Sequence, residues 1–286
     1  MDNLKAKKRH PEEIAVYSAI YVCAAFSVLL LLGIIVYVFA KGARRVNWAF
    51  LTGVTSILHG TVGIAGNILN TLIIILLTMI ITTPIGVGAA IYLNEYAKPG
   101  KLVTVIIFAT ETLAGIPSII FGLFGMLFFG QLCHMGYSLL TGSLTLTLMV
   151  LPLVTRNTQE ALKTVPDSFR TGAVGLGAGK WYTIRTILLP SAMPGIVTGV
   201  ILAIGRIIGE SAALLFTAGS AHLLPKTFDA FLEKIFHSGG TLTMQLYLSA
   251  SKGEFEVAFG IAVVLLVIVL LINFGTKRLA KKLEKH

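Results

Sequence analysis

Residues 193–219, MPGIVTGVILAIGRIIGESAALLFTAG, read as a membrane span that carries charge. At ~1.5 Å of rise per residue the stretch is long enough to cross a hydrocarbon core of ~30 Å. Within it Arg206 and Glu210 stand at i and i+4, which on one continuous helix places both on one face. A charge at the centre of a span costs about 2.5–3.5 kcal/mol on insertion scales, so each is expected to face the bundle or water rather than lipid.

The rest of the chain agrees with that setting. It has 286 residues, 55% of them hydrophobic and only 13% charged, with a mean hydropathy of +0.85. A soluble domain of this length needs more charge to cover its surface, so the class is an all-α polytopic membrane protein. Six stretches are candidate spans: residues 14–40, 64–93, 102–129, 143–154, 193–219 and 257–275. The fourth is short and holds Pro152, and is expected to continue as a helix beyond Arg156. The first follows Lys5, Lys7, Lys8 and Arg9, but its apolar run is too long for a secretory signal and reads as a retained helix.

The formal net charge of +10 could suggest nucleic acid, but its distribution argues for topology. With both termini cytoplasmic, 16 of the 23 Lys and Arg fall on cytoplasmic segments. Lys41, Arg44, Arg45, Lys226, Lys234 and Lys252 fall outside, and Arg206 lies within the membrane. That asymmetry follows the positive-inside rule. Cys23 and Cys133 have no CxxC spacing and read as buried, inert thiols. The six His residues form no HExxH pair, so neither a metal site nor a cofactor is expected.

Three parts are expected along the chain. Residues 1–63 comprise an N-terminal cytoplasmic tail, the first span and an external loop in which Trp48 and Phe50 are candidate interfacial anchors. Residues 64–275 form a five-helix core, and 276–286 a basic cytoplasmic tail at the anionic inner leaflet. Glycines cluster within spans, among them Gly195, Gly199, Gly205 and Gly209 in the fifth, where small residues let backbones approach closely. Pro84, Pro117 and Pro152 are expected to interrupt spans two to four, giving broken helices around a central path.

Between spans four and five, residues 156–189 form the longest cytoplasmic connection. Asp167 or Ser168 can cap a short helix that runs over 170–178 to Gly177-Ala178-Gly179. Trp181 and Tyr182 follow, suited to an interface. A phosphate-loop reading of Gly179-Lys180 fails, because Val174 and Trp181 occupy positions that need Gly and Ser or Thr. With no nucleotide site and no nucleophile–base constellation, the chain reads as no enzyme, and ATP hydrolysis would belong to partner subunits.

This connection resembles the EAA loop of ABC-transporter permeases, E-A-A-x3-G-x9-I-x-L-P. Here it reads Thr171-Gly172-Ala173, three residues, Gly177, nine residues, Ile187, one residue, Leu189-Pro190. Thr171 replaces Glu and Gly172 the first Ala, so one polar contact of the family is missing. The resemblance implies a type I ABC importer permease core, with a cytoplasmic coupling helix in the loop at about 166–190 that docks on the ATPase.

A second resemblance is more specific. Gly205-Arg206-Ile207-Ile208-Gly209-Glu210-Ser211-Ala212 is similar to the fifth-span signature of the PstA-type phosphate permease family. So are Glu111-Thr112-Leu113-Ala114-Gly115-Ile116-Pro117 in span three, and Pro84-Ile85-Gly86 through Asn94-Glu95-Tyr96 at the end of span two. The resemblance implies a permease subunit of a phosphate importer in the bacterial plasma (inner) membrane. It implies as partners PstB-like ATPases, a second PstC-like permease and a periplasmic or lipid-anchored phosphate-binding protein. It also implies that Arg206 and Glu210 lie on the translocation path, with Glu111 as a further candidate. Glu111 is about nine residues, ~14 Å, into span three, and Arg206 ~18 Å into span five, a comparable depth. A guanidinium offers forked donors that match a tetrahedral oxyanion, whereas two acids count against a simple anion pocket. The alternatives are a permease for sulfate, molybdate or an organic solute, and a secondary transporter or channel with Glu111 and Glu210 as proton carriers.

Overall fold

The computed structural model describes residues 11–56, 61–225 and 227–283. The N-terminal tail 1–10, His59, Lys226 and the last residues 284–286 of the basic tail lie outside them. Five helices are each long and apolar enough to span a membrane, and a sixth crossing is a bent pair. Span one is Pro11–Gly42, span two Ala65–Ile91, span four Leu139–Lys163, span five Leu189–Gly209 and span six Phe255–Leu283. Short elements at one end include an antiparallel ribbon, Val54–Ser56 with Thr61–Ile64, paired Val54 to Ile64 and Ser56 to Thr61.

Span four is the centre of the bundle. Spans two and five pack along its two sides, and most of its residues from Leu139 to Leu162 are buried. It is longer at both ends than its apolar run, and it continues past Arg156 to Lys163. Two of its buried hydroxyls bond within its own backbone: Thr145 and Thr147 donate to the carbonyls of Thr141 and Ser143, each at 2.8 Å, whereas the hydroxyls of Ser143 and Thr158 are buried with no hydrogen-bond partner. Back-bonding of this kind lets part of a polar stripe sit in an apolar bundle with its donors satisfied. Glycine sets the spacing. A methyl on Gly199 would stand 2.7 Å from Asn157 Cβ, and one on Gly86 2.9 Å from a Val154 methyl.

The expected interruptions divide. Pro84 and Pro152 lie inside continuous helices. Only Pro117 breaks its span: Lys101–Gly115 and Ser118–Leu132 meet at 103°. Ile116 before the proline is extended (φ −73°, ψ 132°), as steric clash with the proline ring favours. Span three is thus two helices rather than the single run 102–129.

Span five also departs from the single run 193–219. Its helix ends at Gly209, Glu210 is extended, and a short helix Ala212–Thr217 follows. That helix packs on Ser118–Gly125, the second piece of span three, with Gly122 directly over Ala213. Two broken spans therefore meet through their second pieces.

At this same end the connection to span six is pinned to span two. Asn70 Nδ2 donates to the carbonyls of Ala221 and Gly240, and Thr71 accepts from Leu242 N–H, all at 3.0 Å. Lys234 Nζ donates to the Leu223 carbonyl.

Two surface expectations are corrected. Cys23 and Cys133 are exposed rather than buried, Cys23 because span one buries nothing in its apolar window and touches mainly span six. Phe50 is a core residue, 2% exposed beneath Arg45, whereas Trp48 stands free at 78%.

The packing gives a paired prediction. Gly199→Leu forces the side chain into Asn157 and should cost about 1–3 kcal/mol by overpacking. Gly205→Leu has nothing within 4 Å to strike and should leave the isolated chain as stable as wild type. Thermal unfolding in detergent compares the two, and equal losses would contradict this packing.

Candidate functional site

The end of the molecule that carries residues 164–188 is built on a small core of its own, with Leu162, Val165, Ile184 and Leu188 at its centre. On it rides a helix, Asp167–Gly175. It starts three residues earlier than residue 170, with Pro166 at the capping position and no side-chain cap; Asp167 instead lies in the first turn, where the helix dipole favours an acid. Its end has a clear cause. Gly177 has φ +80°, Gly177 N–H donates to Val174 O and Ala178 N–H to Ala173 O, both at 2.9 Å. That is a Schellman stop, which requires a left-handed residue and so explains the glycine of the motif.

Ala173 faces inward and is buried, while Thr171 and Gly172 are exposed. The Thr171 hydroxyl bonds back to the carbonyls of Asp167 and Ser168. Ile187 and Leu189 are half-buried and Pro190 exposed. The turn before Pro190, Ile184–Leu188, widens to a π-helix, as a residue without an N–H invites. The outer face is apolar: Leu176 is 91% exposed, and Phe169, Val174, Trp181 and Tyr182 are exposed around it.

A residue that motif reasoning missed ties this face to the spans. Arg170 Nη2 lies 2.9 Å from Glu95 Oε1, with Glu95 only 8% exposed and Arg170 23%. The same guanidinium donates to the carbonyls of Leu162 and Val165 and to Asp167 Oδ1, each at 3.0 Å. One side chain thus joins the end of span two, the end of span four and the loop helix. The hydrogen bond to Glu95, more than offsetting burial, pushes the Arg170 pKa up from its ordinary value. Lys180 adds a second tie, its ammonium 4.8 Å from the Tyr96 ring centre. Glu95 and Arg170 are 75 residues apart, so no spacing in the sequence links them.

The intramembrane charges sit differently from the single-helix expectation. Arg206 lies in the last turn of span five, where the negative end of the helix dipole favours a cation. Glu210 is beyond that turn, so the two do not share a helical face. Its Oε1 accepts from Ala213 N–H at 3.0 Å and its carbonyl from Thr243 Oγ1 at 3.0 Å. Glu210 therefore closes the break, capping the second piece and tying it to the helix Leu242–Ser251. Arg206 and Glu111 are exposed on this chain, and neither makes an ion pair with another described residue. Gly205 and Gly209, on the same exposed stretch as Arg206, have no neighbour within 4 Å, whereas Gly195 and Gly199 are packed on span four. Among the described residues no group of three or more His, Cys, Asp or Glu could hold a metal ion.

A multi-pass helical bundle with an apolar helix exposed at one end, and two charged residues exposed on its spans, fits a membrane permease subunit. The chain belongs to the family described as binding-protein-dependent transport system inner membrane component, which matches residues 82–286. It is 35% identical over 273 residues to the probable ABC transporter permease protein YqgI of Bacillus subtilis, covering 92% of this chain and 93% of that one. It is 34% identical over 244 residues to the phosphate transport system permease protein PstA of Xylella fastidiosa, covering 84% and 82%. In fold it is similar to a chain of a bacterial alginate ABC transporter, with TM-score 0.71, 13% identity and 96% of each chain covered. A chain of the MetNI methionine ABC transporter in an inward-facing conformation matches with TM-score 0.58 and 22% identity, over 77% of this chain and 94% of that one.

Arg170→Leu leaves the Glu95 carboxylate buried without its partner and should destabilise the chain by about 3 kcal/mol. The double variant Arg170→Leu/Glu95→Leu should recover most of that loss in chemical unfolding. A double variant as unstable as the single one would show that the pair is incidental.

Proposed function

We propose that this chain is the transmembrane permease subunit of an ATP-driven phosphate importer, forming half of a translocation path with a second, related permease. The observation that carries the reading is the exposure of Arg206 and Glu111 on spans five and three. Charges left against lipid within a span would cost several kcal/mol, so another subunit closes around them to form a wet path. On that path the Arg206 guanidinium supplies forked donors to a tetrahedral oxyanion. Its place in the last turn of span five moderates its field, which allows release of the anion. Glu210 serves the path indirectly, by holding the break from which Arg206 projects. Glu111 is the acid available to neutralise Arg206 between cycles.

At the other end the apolar face centred on Leu176 is the surface offered to a separate ATPase. Residues 171–173, Gly177, Ile187, Leu189 and Pro190 shape it. The Arg170–Glu95 pair transmits its displacement to spans two and four. With Thr171 turned back onto its own helix, the contact with the ATPase rests on apolar side chains rather than on the family's acid. This assignment puts the loop helix and both termini in the cytoplasm of a bacterial inner membrane, with a phosphate-binding protein at the opposite face. Residues 64–275 then form the transporting core, with span one a peripheral addition. The relatives called phosphate transport system permease proteins support phosphate as the solute.

Two measurements test the reading. In vesicles holding the whole complex, Arg206→Gln should lower binding-protein-dependent phosphate uptake by about tenfold or more, the loss of one charged hydrogen bond, while ATP hydrolysis persists. Unchanged uptake would make Arg206 structural, and wild-type uptake of sulfate or molybdate in place of phosphate would move the assignment to another oxyanion. Separately, Leu176→Asp should weaken ATPase binding by about tenfold, because a charge replaces a buried apolar contact, without altering the fold of the chain. Undiminished ATPase binding would place the docking surface elsewhere.

A further inference from the structure

At the end opposite the loop helix, spans one and six enclose a groove of about 1090 Å³. Its walls carry Lys41, Arg44 and Arg45 against a single acid, Glu256, and its apolar side is formed by Tyr37 and Phe259. None of the three cations forms an ion pair with a described residue. Arg45 Nε is buried and has no hydrogen-bond partner. With both termini in the cytoplasm, as proposed above, these charges stand on the side where the positive-inside rule disfavours them, so topology does not account for them.

The groove is built rather than incidental. Gly42 lies directly against the Phe259 carbonyl, and the Arg45 stem lies over Gly260, where an added methyl would come within 3.1 Å. The Tyr37 and Phe259 rings meet edge to face at 5.7 Å. Lys41 stands 6.0 Å from the Tyr37 ring centre and Arg45 5.8 Å from that of Phe50. These contacts hold the Lys41 and Arg45 side chains, which would otherwise be mobile, beside one cleft.

We propose that this groove is a binding site for the phosphodiester headgroup of an anionic membrane lipid. The cations follow directly on the apolar run of span one, and Trp48 marks the membrane boundary three residues further on, so the groove lies at headgroup level. Span one is exposed along its apolar length and flanks the groove, so acyl chains can run down it while the phosphate meets the guanidinium and ammonium groups. An acidic protein partner would meet the same charges only from the aqueous side and would leave the aromatic wall unused. The site seals the outermost span to the bundle through lipid, and it stands independently of the identity of the transported solute.

The test uses the full-length chain in its assembled complex, reconstituted in vesicles of equal parts phosphatidylglycerol and phosphatidylcholine. The lipids retained on extraction are counted by native mass spectrometry. Wild type should retain phosphatidylglycerol over phosphatidylcholine by about tenfold or more, as three basic residues near a headgroup allow. The triple variant Lys41→Gln/Arg44→Gln/Arg45→Gln should lose most of that preference, and the charge-retaining Lys41→Arg/Arg44→Lys/Arg45→Lys should keep it. The proposal is overturned if the triple variant keeps the preference, or if the charge-retaining variant loses it as fully. Displacement of the retained lipid by excess inorganic phosphate would assign the groove to the free anion instead. Loss of binding-protein docking in the triple variant, with lipid retention unchanged, would assign it to a protein partner.

Discussion

Span four has to be both polar and central, and the rest of the bundle is arranged around that requirement. Hydroxyls of Thr145 and Thr147 are returned to the backbone one turn earlier, which satisfies those donors inside the bundle, while Ser143 and Thr158 keep buried hydroxyls without partners. Lipid offers no hydrophobic drive to hold helices together, so close packing must do it. Gly86 on span two and Gly195 and Gly199 on span five bring their backbones onto this post. The other faces of spans three and five are consequently left open, and those faces carry Arg206 and Glu111.

The two broken spans are a second consequence. A helix break within a membrane is tolerated only where its freed backbone groups find partners. In span five both sides of the break are served by Glu210, whose side chain caps the next helix and whose carbonyl is taken by Thr243. An acid placed there need not carry a proton or pair with Arg206 to be essential. In span three the break is left to Pro117 and the extended residue before it. The second pieces then lock together at Gly122 and Ala213.

The loop helix repeats this economy at the other end. Its stop at Gly177 and its buried Ala173 are local matters of helix termination and packing. Its attachment depends on Arg170, which reaches three separate segments at once. A rigid tie of this kind is what a surface needs if force applied at Leu176 is to reach spans two and four rather than bend the loop. The family's acid is absent at Thr171, yet the frame that presents the surface is complete.

The sequence by itself determined the number and order of the spans, the position of the loop helix and the glycine that ends it. Those features follow from hydropathy, length and local backbone chemistry, which act over a few residues. It also marked Arg206, Glu210 and Glu111, because a charge in an apolar run is visible without coordinates. Tertiary structure alone decided which prolines break their helices. Pro84 and Pro152 sit in helices clasped by neighbours, whereas Pro117 lies where a second helix piece has a separate surface to pack on. It alone moved Glu210 off the face of Arg206, paired Glu95 with Arg170, and gathered Lys41, Arg44 and Arg45 beside Phe259. Each of these depends on contacts between residues far apart in the chain, and no periodicity or spacing encodes such contacts.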